Sequence, residues 1–200
     1  MSRTAAPAVI EPSTPAPAEA WLKSERVRLR DGSFVTVRQV VPSDEAQLRR
    51  FLSGLCPEAR RLRFFGPAVD LEKAAHSAAR SAPGRCGLVA HDEIGVLVGH
   101  AFYVQMDGPR AEAAVEVADR LHGDGLGTIL IERLAAIAEE RGTTHFVAEV
   151  LCENRAMLDV FREGFDARVV RRDGPEEQIE FLTSGWRLAE ARFMSARRDR

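Results

Sequence analysis

Much is missing from this chain that other protein classes require. Its three cysteines, Cys56, Cys86 and Cys152, are an odd number, widely spaced and without a Cys-x-x-Cys pair. That excludes a disulfide framework, and all three are expected to be reduced, mostly buried small hydrophobes. No apolar run reaches the length of a bilayer span, and the amino terminus lacks the charged-then-apolar pattern of a secretory signal, so a cytoplasmic location and no membrane partner are expected. Basic excess is lacking as well: 28 Lys and Arg against 30 Asp and Glu give a net charge of −2, which argues against a general nucleic-acid binder. His76, His91, His100 and His145 show no metal-ligand spacing, so no metal is expected. No internal repeat is visible.

What is present suffices for one ordinary domain: 200 residues, 45% hydrophobic, enough apolar surface for a proper core. Residues 1–22, rich in Ala and Pro, read as an unstructured tail; 23–185 as the folded domain; 186–200, ending in a charged run, as a helical tail. Residues 26–30 and 34–40 alternate polar and apolar around Asp31-Gly32, a hairpin. Helices are expected over 44–55 with Ser43 as cap, from Pro57 to just before Gly66, and over 70–80. Three antiparallel strands follow at 86–91, 94–106 and 111–118. Leu126, Ile129, Leu130, Leu134 and Ile137 form the apolar stripe of a helix closed by Gly142, and strand 144–151, helix 153–163 and strands 168–172 and 178–182 complete the pattern. The sum is an α/β (α+β) chain with a mixed sheet flanked by helices.

The informative stretch is Val115-Glu116-Val117-Ala118-Asp119-Arg120-Leu121-His122-Gly123-Asp124-Gly125-Leu126-Gly127-Thr128. It sets a strand, a short polar link and three glycines ahead of an amphipathic helix. A helix amino terminus carries free N–H groups and partial positive charge, and glycines let a diphosphate approach them. A flexible turn is the plain alternative. A Walker loop would need Gly-Lys-Ser/Thr, which is absent; a dinucleotide fingerprint would need Gly-x-Gly-x-x-Gly, whereas Thr128 fills the sixth position.

The stretch resembles the acyl-CoA-binding motif of the GCN5-related N-acetyltransferases (GNAT): an apolar-x-apolar strand end, then Gln/Arg-x-x-Gly-x-Gly/Ala opening a helix. The resemblance covers residues 26–182 and is most specific over 111–165. Arg30-Asp31-Gly32-Ser33, Leu62-Arg63-Phe64-Phe65-Gly66, Ala111-Glu112 and the run from Val147 to Arg155 (VAEVLCENR) are similar to a bacterial subgroup that acts on protein lysines and occurs fused to cyclic-nucleotide-binding modules or acyl-CoA synthetases. It implies the GNAT fold, a mostly antiparallel mixed sheet splayed between its two central strands, and acetyl transfer from acetyl-CoA to an amine of an acceptor protein or small molecule, protein lysine leading. Monomer and homodimer stay open. By the same resemblance, His122, Gly123, Asp124, Gly125, Leu126, Gly127 and Thr128 form the diphosphate loop, Val115 and Val117 hydrogen-bond the pantetheine arm, and Asn154 meets that arm from the other side. The Val117 amide would polarise the thioester carbonyl. Glu112 stands where related lysine acetyltransferases keep a general base. Glu116 shares its strand face and, with Glu149, is a rival.

Several residues depart from the family pattern. Phe161 occupies the position of a common tyrosine acid, and Tyr103 lies on an earlier strand, so no phenol is assigned to protonate the leaving thiolate. His122 replaces Gln or Arg, Asp124 stands where a basic residue is common, and Phe161-Arg162-Glu163-Gly164-Phe165 is one residue short at its helix end. These motivate a second reading, a non-catalytic acyl-CoA-binding regulatory module. A generic nucleotide binder is a third. Arg60, Arg61 and Arg63 are expected on a helix's wet side, and Cys152 in packing.

Overall fold

The computed structural model describes residues 24–65, 69–80 and 82–185. The expected amino-terminal tail, the carboxy-terminal helical tail and Gly66 lie outside the described residues. Strands β1 (Glu25–Arg28) and β2 (Phe34–Gln39) form the first hairpin. Its turn is fixed by Gly32 at φ 94° and by the Asp31 carboxylate, which accepts from the Ser33 N–H and hydroxyl.

Helices α1 (Glu45–Gly54), α2 (Pro57–Phe64) and α3 (Leu71–Ala78) follow. Ser43 is not the cap of α1. A 3-10 turn, Pro42–Asp44, leads into it, and the buried Asp44 accepts from the Val41 N–H at 2.8 Å and from both terminal nitrogens of Arg38 at 2.7 and 2.6 Å. A carboxylate with a guanidinium partner can be held inside; Ser43 has none and stays exposed. Helix α2 ends at Phe65, which takes the left-handed conformation at φ 58°.

Three strands, β3 (Arg85–Asp92), β4 (Leu97–Gln105) and β5 (Arg110–Val117), form the meander. Strand β4 starts later than its alternation suggests because Asp92 accepts from the Ile94 and Val96 N–H groups, which lengthens the turn. After β5 come α4 (Leu126–Glu140), β6 (His145–Leu151), α5 (Arg155–Phe165), β7 (Arg168–Asp173) and β8 (Glu176–Leu182). The eight strands order as β1-β2-β3-β4-β5-β6-β8-β7, antiparallel at every pairing except β5 with β6. That parallel neighbour relation follows from the α4 crossover.

Helices α4 and α5 cover one face of the sheet, and α1 and α3 the other. On α4 the residues Leu126, Leu130, Leu134 and Ile137 are buried, as the stripe predicts, while Ile129 is half-buried. Close approach of α4 depends on Gly99 of β4, where a Cβ would stand 2.9 Å from Leu130 Cδ1 and 3.1 Å from Leu126 Cδ2. Only Cys86 is buried; Cys56 and Cys152 are exposed, contrary to the expectation that most are interior. Cys56 sits at the start of α2, where its sulfur accepts from the Ala59 N–H. Among the described residues, no helix is long and apolar enough to cross a membrane.

Candidate active site

Strands β5 and β6 pair only at Arg110↔His145, Ala111↔Phe146 and Glu112↔Val147, and then part. Both keep their outer partners: β5 stays on β4 to Val117, and β6 stays on β8 to Leu151. The Ala118 N–H donates to the Val98 carbonyl and the Met106 N–H to that of Arg110, so the bonded pairs of the β4/β5 ladder fall on the even-numbered residues of β5. Val115 and Val117 therefore turn their main-chain groups toward the gap. The cleft has a volume of about 650 Å³, within the range of small-molecule sites. Ala113 to Val117, Gly123, Gly125 to Thr128, Ala148 to Val150 and Asn154 line it, with Ala59, Leu62 and Arg63 of α2 above.

At one end lies the glycine loop. A 3-10 turn, Asp119–Leu121, links it to β5, Gly125 at φ 88° precedes α4, and no side chain caps that helix. Its first N–H groups are thus available to an anion. Gly164 of α5 lies beside Thr128 of the loop, where a Cβ would stand in ordinary contact, 3.8 Å from Thr128 Cγ2. Helix α5 runs through buried Phe165, and its last turn is widened: Asp166, left-handed at φ 53°, donates its N–H five residues back, to the Phe161 carbonyl.

The sequence-predicted residues fall into two groups. His122, Gly123, Gly125, Leu126, Gly127, Thr128, Val115, Val117 and Asn154 all line the cleft. Within that group His122 turns back, its Nε2 lying 3.0 Å from the Val117 carbonyl, and Asn154 uses its Oδ1 to accept from the Met157 N–H as the cap of α5. Asp124 and Glu112 are not among the lining residues; Asp124 is half-buried, and Glu112 is exposed at the last paired position of β5. Arg120 pairs with Asp92 at 2.6 Å.

The acids of β5 differ sharply. Glu116 is 7% exposed and faces Arg63 Nε at 3.1 Å and His100 Nδ1 at 3.0 Å. Burial alone would push its carboxyl up, but the adjoining Arg63 and His100 charges outweigh that and bring it to about 2. Arg63 is thus no wet-side residue; it also lies over the Phe102 ring. Arg61 bridges to Glu58 and to Glu153 at the end of β6, while the Cys56 N–H donates to Asp119 beyond β5. These contacts hold α2 across both lips of the cleft. Glu149 is engaged by Gln178 and Arg171. Tyr103 belongs to the core, where burial raises its phenol, and Phe161 is packed on Phe181.

Arg30 went unassigned in the sequence although its turn was singled out. Its N–H donates to the Asp124 carbonyl at 3.1 Å and its Nη1 to that of Gly123 at 3.3 Å. The contact spans 93 residues, and no local pattern reveals it.

A sheet parted between β5 and β6 beside a glycine loop defines the fold, and comparison with known proteins identifies its family. Residues 54–165, more than half of the chain, match the model of the Acetyltransferase (GNAT) family. The chain belongs to that family and is an N-acetyltransferase. It is 30% identical to the GNAT domain of S. lividans PAT, with a TM-score of 0.73 over 84% of this chain and 99% of that one. Acetyltransferase PA5475 of Pseudomonas aeruginosa is 28% identical over 80% of this chain and 83% of its own length. The Salmonella typhimurium protein yncA, solved with its cofactor acetyl-CoA, shares the fold at 22% identity and a TM-score of 0.58, covering 74% of this chain and 94% of that one.

Proposed function

We propose that this protein transfers the acetyl group of acetyl-CoA to a primary amine, with protein lysine as the substrate class. One observation carries the reading: the sheet parts after Glu112↔Val147, and the freed edge of β5 leads to an uncapped helix terminus behind Gly123 and Gly125, with Gly127 in its first turn. A pantetheine arm carries two amides, which suit the main-chain groups of Val115 and Val117, and the diphosphate suits the N–H groups of Gly123, Gly125, Leu126, Gly127 and Thr128. The Val117 carbonyl is held by His122, and its N–H is the group left to polarise the thioester. With Asn154 Oδ1 spent on the helix cap, its amide nitrogen is the donor it can offer the arm.

Glu112 is the base in this scheme. Because it stands outside the cleft lining, it takes the proton of the acceptor ammonium through water; the amine attacks the thioester carbonyl, and the tetrahedral intermediate expels the thiolate, which takes a proton from solvent or from the attacking nitrogen. Glu116 is a poor rival because Arg63 and His100 already hold its charge. The regulatory-module reading loses one of its motives, since Asp124 stays out of the lining.

Incubation of labelled acetyl-CoA with a native extract, followed by identification of labelled lysines, tests the acceptor class; no label on any lysine refutes it. Glu112→Gln is expected to cost about 10²-fold or more in turnover while coenzyme A still binds. Transfer at the parental rate would remove Glu112 from the mechanism.

A further inference from the structure

The diphosphate loop has a deficit of positive charge. From Gly123 to Thr128 it contains no cation and one acid, Asp124, which stays outside the cleft lining. Two arginines line it, Arg30 and Arg63. Arg63 is committed to Glu116, whereas among the described residues the Arg30 guanidinium forms no ion pair. Its reach is fixed at both ends: buried Leu29 anchors the hairpin, the Asp31–Ser33 turn closes it, and the Arg30 stem lies against Gly125, where a Cβ would stand 3.4 Å from Nε.

We infer that Arg30 is a specificity residue for the diphosphate of coenzyme A, reaching from the first hairpin to supply the guanidinium the loop itself lacks. This deepens the proposed acetyl-CoA reading and rests on it. The geometry gives Arg30 two actions. Its N–H and Nη1 hold the Asp124 and Gly123 carbonyls on its own side. A trans peptide sets its N–H opposite its C=O, so the hold on the Asp124 carbonyl directs the Gly125 N–H away from Arg30, and loop carbonyls are kept off the incoming anion. The remaining guanidinium nitrogens meet phosphate oxygens through charge-assisted hydrogen bonds, which the planar fork suits better than an ammonium does.

The test compares Arg30→Ala and Arg30→Lys with the parent by titration with coenzyme A and 3′-dephospho-coenzyme A, and with pantetheine by competition; circular dichroism checks the fold. Arg30→Ala is expected to weaken both coenzymes about tenfold, more at low salt, and to leave pantetheine at parental affinity; Arg30→Lys recovers part of the loss. Equal weakening of all three ligands would mean a structural role only and overturn the inference. So would parental affinity for coenzyme A, or a loss that vanishes with the dephospho form, which would move the contact to the ribose phosphate. A parent that binds no coenzyme A overturns the acetyl-CoA reading itself.

Discussion

Replacing Glu116 with Gln keeps the shape of the side chain and removes its charge, leaving Arg63 and the fully buried His100 facing a neutral amide. The magnitude follows from linkage. Glu116 drops from its ordinary 4.5 to about 2 on folding. A shift of that size corresponds to about 3 kcal/mol of stability at neutral pH, similar to the cost of breaking a buried ion pair. Because the folded value lies below the unfolded one, this contribution is complete above about pH 4.5 and is lost as pH falls toward 2. Thermal and urea unfolding of parent and variant at pH 7, 5, 4 and 3 measure it. At pH 7 the variant should melt about 6–12 °C lower, and the gap should narrow steadily below pH 4.5. A variant as stable as the parent at pH 7, or a gap that stays constant down to pH 3, would refute the reasoning that the buried Glu116 carboxylate docks α2 on β5 through Arg63.

Two further predictions follow from backbone geometry. Gly99→Ala drives a methyl into Leu130 and Leu126, whose side chains are fully buried, so it should cost about 1–3 kcal/mol in unfolding free energy. The same push lifts the start of α4, and titration should show weaker coenzyme A binding. Gly125→Ala forces an L side chain to adopt φ 88°, at a cost of about 1–2 kcal/mol, and should weaken coenzyme A binding more than it lowers the melting temperature.

The elements of this fold are legible locally. Alternation around Asp31-Gly32 gives the first hairpin, the stripe from Leu126 gives α4, and a period of two puts Glu112, Ala114 and Glu116 on one face of β5 with Val115 and Val117 on the other. Boundaries shifted where a side chain competed for the backbone: Asp92 delayed β4, and Asn154 moved the start of α5 to Arg155. The glycine loop is equally readable, because backbone exposure at a helix terminus is written in its own few residues.

Local sequence therefore determined the strands, the helices and the glycine loop, each set by interactions over a few residues. Tertiary structure alone decided which acid of β5 is neutralised and which is free, since both are glutamates at equivalent phase and only packing against Arg63 and His100 separates them. It alone parted β5 from β6, a matter of where two strands distant in the chain cease to pair. And it alone brought Arg30 onto Gly123 across 93 residues of chain, because a charge placed by folding leaves no mark on the spacing of its neighbours.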